Sequence, residues 1–178
     1  MEKTKTRVKK FRWFWPWQDE AEENWLEKMS QKGYHLSSVS LPGFYTFSVA
    51  EPRKYIYRLD YQTFYKKDKG EYLQLFQDAG WEYIGELSAW QYFRKEVKQG
   101  ETTEIYTDVE SKIAKYKRVL GFLWFFWMVL LVFFGGRILT EAPYPWWGAV
   151  QVIFLLVILL YTYAIIRLAV RIRQLRKL

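Results

Sequence analysis

The chain of 178 residues contains no cysteine, which excludes disulfides, thiolate metal sites and cysteine nucleophiles and leaves redox compartment unread. Histidine is nearly as scarce: His35 stands alone, so a histidine-based metal centre has too few ligands. Neither a GxxxxGK[ST] nor a GxGxxG phosphate loop occurs, and the GxSxG nucleophile elbow is missing too. No cofactor, metal or enzymatic activity is therefore expected. The opening MEKTKTRVKKFRWFWPWQDE is basic, but its apolar part is short and ends in acid, so no cleaved secretory leader is expected.

What is present is unevenly spread. Mean hydropathy over the whole chain is −0.23, mildly polar, an average that conceals two apolar runs near the end. The net charge of +8 is uneven as well. Residues 1–118 hold 21 Lys+Arg against 18 Asp+Glu, whereas residues 136–178 hold six basic residues against Glu141 alone. Five of those six fall from Arg167 onward.

Residues 119–136 (VLGFLWFFWMVLLVFFGG) are 18 consecutive uncharged positions, and a helix of that length spans about 27 Å, close to one hydrocarbon core. A second run, 147–166 (WGAVQVIFLLVILLYTYAII), is again long enough. Buried helices of a soluble protein normally keep a polar stripe, and these runs have almost none. Two transmembrane helices joined as a hairpin are expected. The link from Arg137 to Trp147 carries two prolines and places Tyr144, Trp146 and Trp147 where an interfacial aromatic belt sits. Lys112, Lys115, Lys117 and Arg118 precede the first span, and Arg167, Arg171, Arg173, Arg176 and Lys177 follow the second. The excess of basic residues at both outer ends puts both termini in the cytoplasm of a two-pass cell-membrane protein. Arg167, Arg171 and Arg173, in a basic tail over 167–178, are expected at the lipid headgroups.

The N-terminal part contains an internal repeat. Trp25-Leu26-x-x-Met29-x-x-x-Gly33-Tyr34 recurs 47 residues later as Tyr72-Leu73-x-x-Phe76-x-x-x-Gly80-Trp81. Each copy has apolar residues at helical spacing, a glycine at the stop, then an aromatic residue opening a strand. Strands are predicted at 7–14, 34–40, 43–50, 54–61, 81–88 and 90–95. Tyr55, Tyr57, Leu59 and Tyr61 share one face, and Lys54, Ile56, Arg58 and Asp60 the other. The order points to an α+β, ferredoxin-like (βαββαβ-type) cytoplasmic sandwich over residues 1–98. A polar linker and juxtamembrane helix follow at 99–118.

The segments FRWFWPWQDEAEENWLEKMSQKGYHL, YRLDY and LFQDAGWEYIGELSAWQYFRK, with the C-terminal spans, resemble an uncharacterised bacterial family known as a domain of unknown function. Its members are often encoded beside PadR-like transcriptional regulators. The resemblance covers residues 7 to 98 and, by architecture, the spans. It implies a membrane-associated role and a link to a regulatory circuit, and it brings no catalytic residues.

Three features remain as candidate sites. His35, at a strand start, is expected to be a partly exposed strand residue. Asp19, Glu20, Glu22, Glu23 and Glu27 crowd a helix start, where carboxylates compensate the helix dipole and are expected in solvent. Phe11, Trp13, Trp15 and Trp17, with Phe14 between them, form the densest aromatic cluster outside the spans. That cluster is either a docking surface for a protein or the membrane interface, or part of the core. Base stacking is opposed by the modest domain charge and the lack of an RNP-like motif, so nucleic acid is not an expected partner. The expected partners are membrane lipids and either another protein or a second copy of the chain. The function expected is a membrane-anchored cytoplasmic sensing or interaction module; the alternative is an accessory subunit of a membrane transport or lipid-handling complex.

Overall fold

A computed structural model describes residues 6–64, 68–96, 103–106, 108–138 and 147–177, with the backbone alone at 136–138. The chain divides into two units, Met1–Thr107 and Asp108–Leu178.

The first unit is the sequence repeat made physical. Its elements are β1 (Arg7–Phe11), α1 (Asp19–Ser30), β2 (Tyr34–Ser40) and β3 (Phe44–Val49), followed by β4 (Tyr55–Tyr61), α2 (Lys69–Asp78), β5 (Glu82–Leu87) and β6 (Trp90–Glu96). Each half is thus β-α-β-β. Every pairing is antiparallel, in the orders β1-β3-β2 and β4-β6-β5. The mixed α+β character holds. A ferredoxin-like sandwich, however, joins four strands in one sheet, and the ladders among the described residues make two sheets of three. The reason lies in each half: the third strand takes the first on one edge and the second on the other, leaving no central edge for the neighbour. β2 and β5 come close without a ladder between them.

Local detail repeats at the same 47-residue spacing. α1 stops before Gly33 at φ 81° and α2 before Gly80 at φ 83°, the left-handed turn that glycine adopts without strain. Both second strands then slip register, between Leu36 and Ser38 and between Tyr83 and Gly85. A bulge of this kind bends and twists its strand.

Two cores hold the unit. Leu26, Met29, Leu36, Tyr45, Phe47, Tyr57, Leu59 and Tyr92 form the larger, drawing on α1 and on both sheets. Phe76, Trp81 and Phe93 form the smaller, with Ile56, Tyr72, Leu73, Tyr83 and Ile105 against it. Residues alternate between the cores along the second sheet: Tyr57, Leu59 and Tyr92 serve the first, Ile56 and Phe93 the second. Such a sheet is buried on both faces, which is why Gln91-Tyr92-Phe93 are buried in succession. Full burial of a large apolar side chain such as Leu26 or Phe47 contributes about 1.5–3 kcal/mol.

Part of the expected polar linker is tied to this unit. Ile105 packs on the smaller core, Glu104 pairs with Arg58 at 3.5 Å, and the Tyr106 hydroxyl donates to Asp60. The proposed domain boundary near Lys98 falls outside the described residues.

The second unit is a helical hairpin, α3 (Val109–Ile138) and α4 (Trp147–Leu175). With 30 and 29 residues, the helices are each about 45 Å long. Both are long and apolar enough to cross a membrane. Three contacts fix their antiparallel register: Phe134 stacks with Phe154 at 6.4 Å, Trp127 Nε1 donates to Thr162 Oγ1 at 3.0 Å, and the Arg171 guanidinium lies 4.6 Å from the Tyr116 ring centre. The Thr162 hydroxyl in turn donates to the Ile158 carbonyl at 2.8 Å, so the polar pair is satisfied within the hairpin.

Candidate functional site

The N-terminal aromatic cluster separates into two populations. β1 ends at Phe11, short of the predicted 14, because Arg12 makes the last pairing, its amide donating to the Gly43 carbonyl at 2.9 Å. The chain then turns. Trp15 and Gln18 close a tight turn around Pro16 and Trp17 through Gln18 N to Trp15 O at 2.8 Å, and the Gln18 side chain accepts from the Trp15 amide at 3.0 Å. Phe14 points inward onto Trp25 and Tyr45. Phe11, Trp13 and Trp15 point outward, 59%, 50% and 37% exposed. They make an exposed ledge of two ring groups, Phe11 edge-on to Phe44 at 5.3 Å, and Trp13 edge-on to Trp15 at 5.6 Å with Trp15 stacked on half-buried Trp17 at 5.2 Å.

Cations border this ledge. Arg7, Lys9, Phe11, Arg12 and Trp13 are exposed. Lys9 Nζ lies 4.3 Å from the Phe44 ring centre and Lys10 Nζ 4.7 Å from that of Tyr34; the Arg12 guanidinium sits over Phe14 and Trp25 at 5.0 and 5.2 Å. These contacts spread the cations across aromatic faces and leave their charge uncancelled.

The acidic helix start differs from expectation. Asp19, Glu22 and Glu23 are buried, 2%, 7% and 7% exposed, where solvated carboxylates were predicted. The cause is the second half of the unit, which the first turns of α1 pack against. Glu22 Oε1 accepts from the Tyr45 hydroxyl and from the Tyr92 hydroxyl, each at 2.7 Å. Glu23 accepts from the Leu59 amide at 2.8 Å, satisfying a donor on the outer edge of β4. Arg58 bonds Glu27 at 2.8 Å and lies 3.7 Å from Glu23. Burial raises the Glu22 carboxyl above its ordinary range, with Asp19 adding to the rise and the two tyrosine hydrogen bonds opposing it. Burial, reinforced by the Glu22 charge, pushes the Tyr45 and Tyr92 hydroxyls well above theirs, so both remain donors. Nothing in helix periodicity announces this centre. One signal exists: Tyr45 and Tyr92 stand 47 residues apart, at the same place in the repeat.

His35 is also a correction, being 5% exposed instead of partly open. Its Nε2 lies 2.9 Å from the Glu51 carbonyl, its ring is edge-on to Tyr55 at 5.1 Å, and Nδ1 has no hydrogen-bond partner among the described residues. Bonding to a backbone carbonyl and packing on an aromatic ring make it part of the β2 packing.

In the hairpin, Trp147 opens α4 and is half-buried. Arg167 and Arg173 are exposed, with Arg167 5.9 Å from the Tyr163 ring centre. Arg171 rests on Tyr116 instead of standing free. Tyr144 and Trp146 lie outside the described residues. The antiparallel register sets Lys112, Lys115, Lys117 and Arg118 at the same end of the hairpin as Arg167, Arg171, Arg173, Arg176 and Lys177.

A family described as "Protein of unknown function (DUF2812)" matches residues 18–129, and the chain belongs to it. The matched stretch begins directly after Trp17 and ends inside α3. No curated protein and no solved structure matches the chain.

Proposed function

We propose, taking membership of this family as the premise, that the chain is a two-pass cell-membrane protein that presents its α+β unit at the cytoplasmic face as a sensing and interaction module. The observation that carries this reading is the gathering of basic residues at one end of an apolar hairpin. The retained side of a membrane is the side with the excess of Lys and Arg, and it is from that end that the chain leads back to the α+β unit. Helices of about 45 Å exceed a hydrocarbon core of about 30 Å, so the basic turns extend beyond it. The exposed ledge of Phe11, Trp13 and Trp15 is the surface through which the module acts.

Orientation is tested first, and the lack of native cysteine makes the test free of background. A Thr140→Cys variant in the link is expected to react with a membrane-impermeant maleimide in intact cells. A Gln174→Cys variant is expected to react only after permeabilisation. The reverse pattern would refute the assignment. Crosslinking in native membranes, followed by purification of the full chain, then tests the interaction role. Recovery of a PadR-like regulator is the outcome the family resemblance implies, and recovery of a polytopic transporter would favour an accessory subunit.

A further inference from the structure

We infer that the ledge formed by β1 and the turn after it is a docking surface for the anionic lipid headgroup layer of the membrane that holds the hairpin. This inference rests on the two-pass reading and names the ligand of its interaction surface.

The argument begins with charge. Between residues 6 and 18 there are four cations, Arg7, Lys9, Lys10 and Arg12, and no carboxylate. Among the described residues none of the four forms an ion pair. Elsewhere in the unit the arginines do find acids: Arg58 meets Glu23, Glu27 and Glu104, Arg94 meets Glu82 at 2.6 Å, and Arg53 meets Glu96. The ledge is therefore a local positive surface, four cations with no carboxylate among them, on a unit whose other arginines are ion-paired. The next carboxylate along the chain that is exposed is Glu20.

Apolar chemistry is the second part. A surface meant only for phosphate needs cations alone. Here Arg7, Lys9 and Phe11 alternate along the exposed face of β1, and Arg12, Trp13 and Trp15, also exposed, follow within the next four residues. Tryptophan and phenylalanine partition to the headgroup level of a bilayer, while Lys and Arg beside them attract anionic lipid. A protein partner would also accept aromatics, but it would need a wholly acidic patch to match these cations, whereas an anionic headgroup layer supplies that charge wherever the hairpin is held. Geometry helps too: Trp15 stacks on Trp17 and Trp13 abuts Trp15, so the rings are held in place and little side-chain freedom is lost on docking. Tethering the unit to membrane helices keeps it at high effective concentration near the surface, so weak individual contacts suffice.

The test uses the full chain in nanodiscs of phosphatidylcholine alone or of phosphatidylcholine and phosphatidylglycerol in equal parts. A bimane on Leu41→Cys reports ledge depth through quenching by doxyl-labelled lipid. Leu41 is exposed in the turn next to Gly43, whose carbonyl meets Arg12. A label on Gln77→Cys, exposed on α2, serves as reference. Quenching at Leu41 is expected in the anionic discs, reduced in neutral ones, and released by salt. The pair Arg7→Gln with Lys9→Gln is expected to lower the docked-to-free ratio about 30-fold, about fivefold per cation. The pair Trp13→Ala with Trp15→Ala is expected to lower it while leaving the salt dependence unchanged. Amide exchange across α1 should match wild type in both pairs, which separates loss of docking from loss of fold.

Equal quenching in neutral and anionic discs, or quenching that survives both pairs of substitutions, would overturn the assignment. So would an unquenched ledge that crosslinks instead to a protein. Extraction of the chain from native membranes by alkaline carbonate would overturn the two-pass reading itself, and the ledge assignment with it. A chain that stays in the membrane with its ledge unquenched leaves the two-pass reading standing and removes only the lipid ligand.

Discussion

Replacing Glu22 tests whether its buried carboxylate clamps the two halves of the α+β unit. Its Oε1 receives two hydroxyls at 2.7 Å, one from each half of the repeat. Glu22→Ala leaves Tyr45 and Tyr92 without that acceptor in a buried site, at about 1–3 kcal/mol for each stranded hydroxyl. Relief of the desolvation of a buried charge offsets part of this, and the net loss expected is about 2–4 kcal/mol. Glu22→Gln keeps an acceptor and removes the charge, so it should fall much nearer to wild type. The pH dependence has a definite sign. Burial raises the carboxyl in the folded chain, so the fold holds this proton more tightly than the unfolded chain does. The stability that this proton contributes is full below the unfolded pKa and is lost as pH rises through the folded one. Glu22→Gln cannot ionise, so it should gain on wild type as pH rises through and above the ordinary carboxylate range, about pH 4–5. Amide exchange by mass spectrometry on the full chain in nanodiscs reads both effects in α1 and β4. A loss of about 3 kcal/mol in opening free energy accelerates exchange about 150-fold. Equal exchange in the Ala and Gln variants would refute the clamp, because the two differ in whether the tyrosines keep an acceptor.

Two other predictions follow from local geometry. Gly33→Ala should destabilise by about 2–4 kcal/mol and Gly80→Ala by only about 1–2 kcal/mol. Both sit at positive φ, but a Cβ at Gly33 would clash with the Ala50 carbonyl oxygen, whereas at Gly80 it meets the end of the Lys95 side chain at 3.4 Å; denaturant titration of both variants separates them. Trp127→Phe removes the hydrogen bond to Thr162 and should weaken hairpin association by about 0.6 kcal/mol, the average for such bonds between membrane helices. Energy transfer between labels on α3 and α4 reads that change, and a double-mutant cycle with Thr162→Ala isolates the pair.

The legible parts of the fold are those that local periodicity controls. Alternation located β4 to within a residue, since Tyr55 to Tyr61 is a strand with one face in each core. The glycine stops and the repeat located both helices, and unbroken apolar composition located α3 and α4. Sheet order was not legible, because β3 and β6 carry the same pattern whichever strands flank them; pairing is decided by chain reversal and packing. The burial of Asp19, Glu22 and Glu23 was not legible either. Acids in a first helical turn have a sufficient local reason in the dipole, and that reason hides a tertiary one: hydroxyl and amide donors arriving from Tyr92 and Leu59, seventy and 36 residues away. Of the aromatic cluster, composition could not separate Phe14, which packs inward, from Phe11, Trp13 and Trp15, which do not.

The repeat is symmetric in backbone and asymmetric in chemistry, and the asymmetry explains why two small sheets act as one unit. A pair of duplicated β-α-β-β halves with only apolar contacts between them would be free to slide or to open separately. Here α1 carries three acids that reach the other half: Glu22 to Tyr92, Glu23 to the Leu59 amide and Glu27 to Arg58. α2 carries Lys69 at the position matching Glu22, and Lys69 bonds Glu86 within its own half at 2.9 Å, with its side chain partly exposed. One helix therefore stitches the halves together, while its counterpart bonds Asp60 and Glu86 of its own half. The stitched helix is also the element that follows the ledge in the chain, with Arg12 spanning Phe14 of the ledge segment and Trp25 of α1. Phe14, the chain neighbour of Trp13 and Trp15, packs on Trp25, which packs on Tyr45, whose hydroxyl meets Glu22, an oxygen that both halves share. The ledge is thus joined to the Glu22 clamp by the backbone around Phe14 and the rings of Phe14, Trp25 and Tyr45, and a change in the exchange of the Leu59 amide when anionic lipid is added is the result expected if docking strains that connection; unchanged exchange would refute it.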